Sequence, residues 1–205
     1  MAKTIIVAAT RAEVEGLRSI FNGHDDYEIL VTGVGMVNTT FSLTKMLASK
    51  ELPSRIINVG IAGSFNQEIE IGQVVQVVKD SFSELGAEDN GSFLKGDFMG
   101  LVPKDELTFE SESRFQDILQ AIGITVNTIH GEEESIALAE QCFKPDVESM
   151  EGAAVAFVAN QFGIQWIQIR SISNYVEPRN RDNWNIQLAL ENLTKTAAHL
   201  IQELK

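Results

Sequence analysis

The stretch Thr4-Ile5-Ile6-Val7-Ala8-Ala9-Thr10-Arg11-Ala12-Glu13 decides the fold. Residues 4–9 are an apolar run without the polar alternation of a half-exposed strand. Such a run predicts a strand buried on both faces of a parallel sheet, and we place it at the centre of that sheet. Thr10 and Glu13 have the spacing of a capping box, which predicts that a helix begins as soon as the strand ends.

The same order of strand and helix recurs along the chain. Further strands are predicted over residues 28–32, 55–60, 74–78, 124–129 and 164–172. Further helices are predicted after Gly33-Val34-Gly35, over residues 151–162 and over residues 185–204. This alternation predicts an α/β fold, a three-layer α/β/α domain around a central mixed, mostly parallel sheet. No linker interrupts it, so residues 1–205 are treated as a single domain.

One segment, residues 80–115, interrupts this alternation with an acidic excess, four glycines and only scattered apolar residues. A stretch of this length without regular structure is usually functional or disordered, so it is predicted to carry a loop or partner-contact role. The acidic run at residues 132–134 is interpreted as a charged turn in contact with water, because like charges repel one another.

Composition excludes several classes of protein. The chain has 205 residues, 29 acidic against 16 basic, and a formal net charge of −13, which argues against a nucleic-acid partner. No apolar run approaches the roughly 20 residues of a membrane span, and the first residues lack the pattern of a secretory signal. Cys142 is the only cysteine, so an internal disulfide is impossible. A cytoplasmic protein without a membrane association is therefore expected.

The sequence predicts neither a metal nor a cofactor. His24, His130 and His199 stand far apart, with no neighbouring cysteine or paired carboxylate. Residues 33–38 approach a dinucleotide-binding fingerprint, but the third glycine is replaced by asparagine and no acidic residue follows at the usual distance. This loop, like Gly60-Ile61-Ala62-Gly63, is either a place where backbone approaches a ligand or a plain turn.

Two carboxylates occupy special positions. Glu13 lies just beyond the carboxyl end of the first strand, where ligands gather in open α/β sheets, and Glu151 begins a helix of small residues. Helix capping alone is a sufficient explanation of each. A third element, Arg170-Ser171-Ile172-Ser173-Asn174, is a polar cluster at the end of an apolar strand, and solvent exposure alone explains it equally well.

Taken together, these elements resemble the purine nucleoside phosphorylase and nucleosidase superfamily. The resemblance runs from residue 4 to the last helix and rests on residues 33–35, 58–63, 149–154 and 170–174. It is closest to the nucleosidases that act on methylthioadenosine and S-adenosylhomocysteine. Within that group the string from Ser171 to Asn185 is most similar to the futalosine hydrolases of menaquinone biosynthesis. The resemblance implies a nucleoside phosphorylase-like fold and a reaction that cleaves an N-ribosidic bond.

The resemblance also assigns roles to residues. Glu13 matches the carboxylate that activates the attacking water, Glu151 the one that binds the ribose hydroxyls, and Met150 the apolar platform beneath the ribose. Gly60 is assigned to substrate binding through close approach of the backbone. Asn174 stands where adenine-specific members have an aspartic acid. An amide offers a donor and an acceptor to the O6/N7 edge, which favours a 6-oxopurine such as hypoxanthine.

The implied substrate, futalosine, carries a benzoate, and Arg179 and Arg181 are the candidates to bind its carboxylate. Surface salt bridges explain these arginines equally well. The implied partner is thus a small-molecule purine nucleoside. The resemblance also implies a homodimer or higher homo-oligomer, with residues 80–115 as a candidate interface.

Three alternatives stay open. A phosphorylase of the same fold would need a cluster of donors around phosphate, yet only Arg11 lies near the first loop and Glu13 would repel the anion. A non-catalytic nucleoside-binding protein is disfavoured by the joint presence of Glu13, Glu151 and Asn174. The third alternative is an α/β enzyme that does not act on purines.

Overall fold

The computed structural model describes residues 3–112 and 115–204. The described strands are β1 (Thr4–Ala8), β2 (Tyr27–Val31), β3 (Arg55–Ser64), β4 (Val74–Phe82), β5 (Gly86–Asp89), β6 (Ser92–Lys95), β7 (Thr108–Glu110), β8 (Leu119–Thr125), β9 (Val147–Ser149) and β10 (Gln165–Tyr175). The described α-helices are α1 (Arg11–Phe21), α2 (Met36–Ala48), α3 (Glu133–Phe143), α4 (Gly152–Gln161) and α5 (Ile186–Glu203).

Strand β3, and not β1, is the centre of the main sheet. β3 pairs in parallel with β1 and β10 and antiparallel with β9, whereas β1 has only β3 and the edge strand β2 beside it. The predicted central position of β1 is therefore wrong. The ten-residue β3 is twice as long as β1, so successive parts of it can pair with different strands.

The sheet also closes on itself. From β10 the pairing continues to β4, from β4 to β8, from β8 to β9, and from β9 back to β3, which is itself paired with β10. Both parallel and antiparallel pairs occur, and the parallel pairs are the more numerous, as the sequence predicts. Within the closed sheet, β4 and β10 carry buried polar side chains, among them Gln76, Gln168 and Arg170.

Helices cover both faces of the sheet and confirm the three-layer α/β/α prediction. Ile6 of β1 packs with α1 and α5, while its neighbours Ile5 and Val7 pack with α2 and α4 on the other face. All three side chains are buried, as expected for an apolar run without alternation. None of the helices in the described ranges is long and apolar enough to cross a membrane.

Three predictions between residues 80 and 143 are wrong. The segment 80–115 is not one long loop, because it holds the β5–β6 hairpin and β7, which pairs with β4. The strand predicted at 124–129 is β8 at Leu119–Thr125, because the chain turns where the Glu84 carboxylate accepts hydrogen bonds from Asn127 and Thr128. The acidic run at 132–134 begins helix α3, where negative charge is favourable.

The topology brings distant residues to one edge of the sheet. Strands β1, β3 and β10 are parallel, so their carboxyl ends meet there. Residues 60–63 and 171–174 form the last parts of β3 and β10, and residues 9–13 follow β1. Strand β9 delivers the start of α4 to the same edge, because β9 pairs with the end of β3. The segments that carry Glu13, Gly60, Glu151 and Asn174 therefore converge there.

Candidate active site

A cavity of about 350 Å³ opens at this edge of the sheet. Four of the predicted site residues line it: Glu13, Met150, Glu151 and Asn174. Its other lining residues are mostly apolar or small: Ala9, Thr10, Ala12, Val34, Ile61, Ala62, Gly63, Ile129, Glu148, Ser149, Ser173, Trp184, Ile186 and Leu190. Apolar walls with a few converging polar groups are the usual character of a small-molecule site.

Glu13 is held from two directions. Its Oε2 accepts hydrogen bonds from the backbone N–H of Thr10 at 2.9 Å and from the Thr10 hydroxyl at 2.8 Å, which completes the predicted capping box. Its Oε1 accepts the N–H of Ile61 at 3.1 Å, at the end of β3. The side chain is only 6% exposed. The carboxylate therefore has a fixed position against the cavity wall.

Gly60 makes room for a buried arginine. A methyl group at this position would overlap Arg170 Nη1 and would lie 2.7 Å from Glu13 Oε1. Gly60 thus lies behind Glu13 rather than in the cavity lining. Arg170 is 1% exposed, and its Nε has no hydrogen-bond partner among the described residues. Ser171 and Ser173 are buried as well, so solvent exposure does not explain the polar cluster at residues 170–174. A cation within an apolar strand is the sequence signal of this burial.

Glu151 lies at the N-cap of α4, and its Oε1 accepts the N–H of Gly35 at 2.9 Å. Burial raises the pKa of the Glu151 carboxyl, while the nearby Arg170 cation and the Gly35 amide oppose that rise. Gly33 and Gly35 have φ of 91° and 93°, which side-chain-bearing residues rarely adopt. The Gly33 N–H donates to Ala9 O, so both glycine amides of the loop are bound within the protein.

A further buried carboxylate, Asp80, supports the start of α4 and was not predicted. Its two oxygens accept Gln168 Nε2 at 2.9 Å and the Thr125 hydroxyl at 3.0 Å. The Thr125 oxygen in turn accepts the N–H of Ala153 at 2.7 Å. Burial raises the pKa of Asp80 to about 6, with the two hydrogen bonds and Arg170 opposing. Asp80 acts through partners far away in the sequence, so no local pattern indicates it.

Asn174 and Glu148 lie together in the cavity lining. The Asn174 Oδ1 accepts the Ser173 hydroxyl at 2.7 Å, and its Nδ2 donates to Tyr175 O at 2.9 Å. An amide nitrogen carries two N–H groups, so one is left for a ligand. A methyl group at Gly63 would lie 3.2 Å from Asn174 Nδ2 and 3.5 Å from Glu148 Cγ, which places these side chains around one point.

His130 pairs with the carboxylate of Glu148. Its Nδ1 lies 2.5 Å from Glu148 Oε2, and its backbone N–H donates to Glu148 Oε1 at 3.1 Å. Within residues 3–112 and 115–204, no group of three or more His, Cys, Asp or Glu side chains could hold a metal ion. Neither Glu148 nor His130 was identified as a site residue from the sequence.

Arg179 and Arg181 lie outside the cavity lining. Both side chains are exposed, and their guanidinium carbons lie 5.3 and 5.8 Å from the centre of the Trp184 ring. Trp184 itself lines the cavity. The two cations are thus placed near the rim of the cavity through a shared aromatic ring.

Comparison with known proteins identifies relatives over most of the chain. The family model described as "Phosphorylase superfamily" matches residues 21–205. The futalosine hydrolase of Streptomyces coelicolor is 28% identical over 191 residues, which cover 88% of this chain and 81% of the relative. The 5′-methylthioadenosine/S-adenosylhomocysteine nucleosidase of a Marinomonas species is 28% identical over 183 residues, which cover 82% and 77%.

Solved structures confirm the fold. The crystal structure of the 5′-methylthioadenosine/S-adenosylhomocysteine nucleosidase from Helicobacter pylori matches with a TM-score of 0.84 and 18% identity. The match covers 99% of each chain. The closed mixed sheet and its flanking helices are therefore an architecture already seen in that protein.

Proposed function

Because the chain belongs to the phosphorylase superfamily, we propose that it is an N-glycosyl hydrolase that cleaves futalosine into hypoxanthine and dehypoxanthine futalosine. The observation that carries the proposal is that Glu13, Glu151 and Asn174 line the same cavity. Relatives named as futalosine hydrolases and as nucleosidases support the reaction type. The predicted superfamily membership is confirmed.

Glu13 is the proposed general base. Cleavage of an N-ribosidic bond builds positive charge on the sugar, and water must lose a proton as it adds to C1′. The Glu13 carboxylate takes that proton, while the C1′–N9 bond breaks and its electron pair leaves with the purine. Its contacts with Thr10 and Ile61 keep the carboxylate in place without substrate, so no reorientation is needed.

Glu151 and Met150 are the proposed ribose contacts. We call Glu13, Met150 and Glu151 the sugar end of the cavity, and Ile129, Glu148 and Asn174 the base end. The Glu151 carboxylate accepts one backbone N–H, which leaves acceptor positions for the 2′- and 3′-hydroxyls. These charge-assisted bonds strengthen as the sugar becomes cationic. Met150 supplies the apolar surface beneath the ring.

Hydrolysis fits the site better than phosphorolysis does. A phosphate would need free amides or cations beside Glu13. The N–H groups of Gly33 and Gly35 are bound to Ala9 O and Glu151, and Arg170 is buried behind Gly60. The carboxylate of Glu13 would also repel the anion. Water is therefore the proposed nucleophile.

The preference for a 6-oxopurine over adenine is proposed from the amide of Asn174. Its amide, oriented by Ser173 and Tyr175, donates to O6 or N7 of a 6-oxopurine. The competing assignment is a methylthioadenosine or S-adenosylhomocysteine nucleosidase, because relatives with that name match at the same identity as a futalosine hydrolase. Asparagine at this position favours the 6-oxopurine, since it cannot give a proton to adenine as an acid can.

Arg179 and Arg181 are proposed to bind the benzoate carboxylate of futalosine. Their positions over Trp184 place two cations at the rim, where a substituent that projects from the cavity would meet them. Guanidinium groups pair with carboxylates through two parallel hydrogen bonds. The proposal assigns affinity to this pair and no part in bond cleavage.

A homodimer is proposed from exposed apolar residues on α2 and in the segment 80–115. Val37 and Phe41 on α2 are 80% and 67% exposed, and Val34 just before α2 lines the cavity. Phe98, within the segment predicted as an interface, is 82% exposed. Burial of these side chains against a second copy would remove apolar surface from water.

A cytoplasmic location stays a prediction.

The experiment that tests the substrate is a comparison of three nucleosides. The purified protein is incubated separately with futalosine, inosine and methylthioadenosine, and the free base is followed by chromatography. Hypoxanthine release from futalosine should be fastest. A clear preference for methylthioadenosine would instead support the competing assignment and remove the role given to Asn174.

A further inference from the structure

We infer that Glu148 is a specificity-determining residue, whose carboxylate accepts the N1–H of a 6-oxopurine base and so excludes 6-aminopurines. This inference rests on the proposed function and adds the atom of the base by which the site selects its substrate. It concerns binding of the base and gives Glu148 no part in breaking the glycosidic bond.

The position of Glu148 is the first argument. It lies in the middle of β9, directly opposite Gly63 of β3, and only 3% of the residue is exposed. Yet it lines the cavity together with Asn174. A buried charge is costly unless it is satisfied, so a carboxylate in a largely apolar wall needs a hydrogen-bonding reason to be there.

The hydrogen bonds of Glu148 are the second argument. His130 donates to one oxygen from Nδ1 at 2.5 Å and to the other from its backbone N–H at 3.1 Å. Phe65 packs edge-on against the imidazole at 5.9 Å and limits its movement. A carboxylate offers about four acceptor positions, so two are left. His130 therefore orients Glu148 as a fixed acceptor toward the base end.

The chemistry of purine edges completes the inference. A 6-oxopurine presents an N1–H donor beside the O6 acceptor, whereas a 6-aminopurine presents an N1 acceptor beside an amino donor. Glu148 as acceptor and the Asn174 amide as donor match the first pattern, and both converge around Gly63. A 6-aminopurine would place its N1 lone pair against the carboxylate, leaving both acceptors buried and unpaired.

The test compares base binding in the intact protein and in Glu148→Gln. Dissociation constants of hypoxanthine and adenine are measured by calorimetry, which requires no turnover. The wild type should prefer hypoxanthine. In Glu148→Gln the side-chain amide can donate to N1 of adenine, so the preference should fall by about 10²-fold. Glu140→Gln, an exposed carboxylate on α3, is the matched control and should leave the preference unchanged.

A purely structural role for Glu148 predicts a different result. If it only held the His130 loop, Glu148→Gln would weaken both bases equally, and that outcome, or an adenine preference in the wild type, overturns the inference. If the variant does not fold, 1-methylhypoxanthine is tested on the wild type instead. Replacement of N1–H by a methyl group should then reduce affinity at least about 10²-fold, and unchanged affinity overturns the inference.

The inference and the proposed function fail in distinguishable ways. Absence of hypoxanthine release from futalosine, with a hypoxanthine preference that Glu148→Gln removes, would reject the reaction and keep the role of Glu148. Release from futalosine with a preference that does not respond to Glu148→Gln would keep the reaction and reject the role.

Discussion

The sugar end and the base end of the cavity hold their polar groups in different ways. At the sugar end, Glu13 and Glu151 each accept a backbone N–H from a distant part of the chain, that of Ile61 in β3 and that of Gly35 just before α2. At the base end, the Glu148 carboxylate is oriented by one histidine, through its ring and its own amide. The carboxylates of the sugar end are thus tied to several distant parts of the chain, whereas the Glu148 carboxylate at the base end is held by one residue.

In the proposed mechanism, this difference separates bond cleavage from substrate choice. Backbone amides stay in place when a neighbouring side chain is substituted, so we expect the sugar end to keep its geometry when side chains around it change. The base end can change with one or two side chains. Relatives of one fold that carry different substrate names are consistent with such a division.

Replacement of Glu13, the proposed general base, should have the largest effect. Glu13→Gln keeps the size of the side chain but removes its ability to take a proton, so hypoxanthine release should fall about 10³-fold. Initial rates measured at saturating futalosine check this. Glu15→Gln, an exposed carboxylate on the same helix, should retain full activity. More than a tenth of the activity left in Glu13→Gln would contradict the assignment.

Gly60→Ala tests whether the two ends are separate. The added methyl group overlaps Arg170 and crowds Glu13, so kcat should fall about 10²-fold through displacement of the sugar end. The dissociation constant of hypoxanthine should stay unchanged, because Glu148 and Asn174 lie elsewhere. Equal losses in kcat and in hypoxanthine affinity would show that the two ends are coupled.

Asn174→Asp changes the base end alone. The carboxyl group can still accept the Ser173 hydroxyl and, when protonated, can donate to N7 of adenine. The ratio of kcat/KM for methylthioadenosine to that for inosine should rise by about 10²-fold. A proportional loss on both nucleosides would instead indicate that Asn174 supports the sugar end.

The pH dependence of protein stability tests the raised pKa of Asp80, the carboxylate that supports the start of α4. The pKa of Asp80 is raised from 3.8 to about 6, so the folded state binds this proton more tightly than the unfolded state. The contribution of this group to the free energy of unfolding therefore declines as pH rises from about 4 to about 6, by about 3 kcal/mol at most.

Asp80→Asn removes that contribution. Denaturant unfolding of both proteins between pH 4 and 7 should show a wild-type stability that falls relative to the variant as pH rises. Gln168 has an unpaired Oε1 that can accept from the new amide after rotation, so the variant should fold. A difference in unfolding free energy between the two proteins that does not change with pH would contradict the raised pKa of Asp80.

The smallest effects are expected at the rim. Arg179→Ala or Arg181→Ala should raise KM for futalosine about 10-fold, since each removes a charge-assisted hydrogen bond to the benzoate. Inosine, which has no benzoate, should keep its KM in the same variants. Equal increases on both nucleosides would remove the proposed benzoate contact.

A local pattern in the sequence predicted where Glu13 lies. The capping box of Thr10 and Glu13 follows from a three-residue spacing, and the same spacing places Glu13 at the cavity. Resemblance to a family pointed to Glu151 and Asn174. These residues lie at strand ends or helix starts, where the fold class alone indicates a ligand site.

The remaining features depend on contacts between distant residues. For the cluster that includes Arg170, the sequence left solvent exposure as an equal explanation, because closure of the sheet around β10 is not visible in any single segment. The pair of His130 and Glu148 forms only because β9 pairs with both β8 and β3. Asp80 likewise meets Gln168 across the closed sheet.

The most direct test of the account is the dependence of hypoxanthine release from futalosine on phosphate. The two carboxylates of the sugar end and the occupied amides of Gly33 and Gly35 predict the same rate with and without phosphate, with a free reducing sugar as the second product. A rate proportional to phosphate, with a sugar 1-phosphate as product, would contradict hydrolysis and the role given to Glu13.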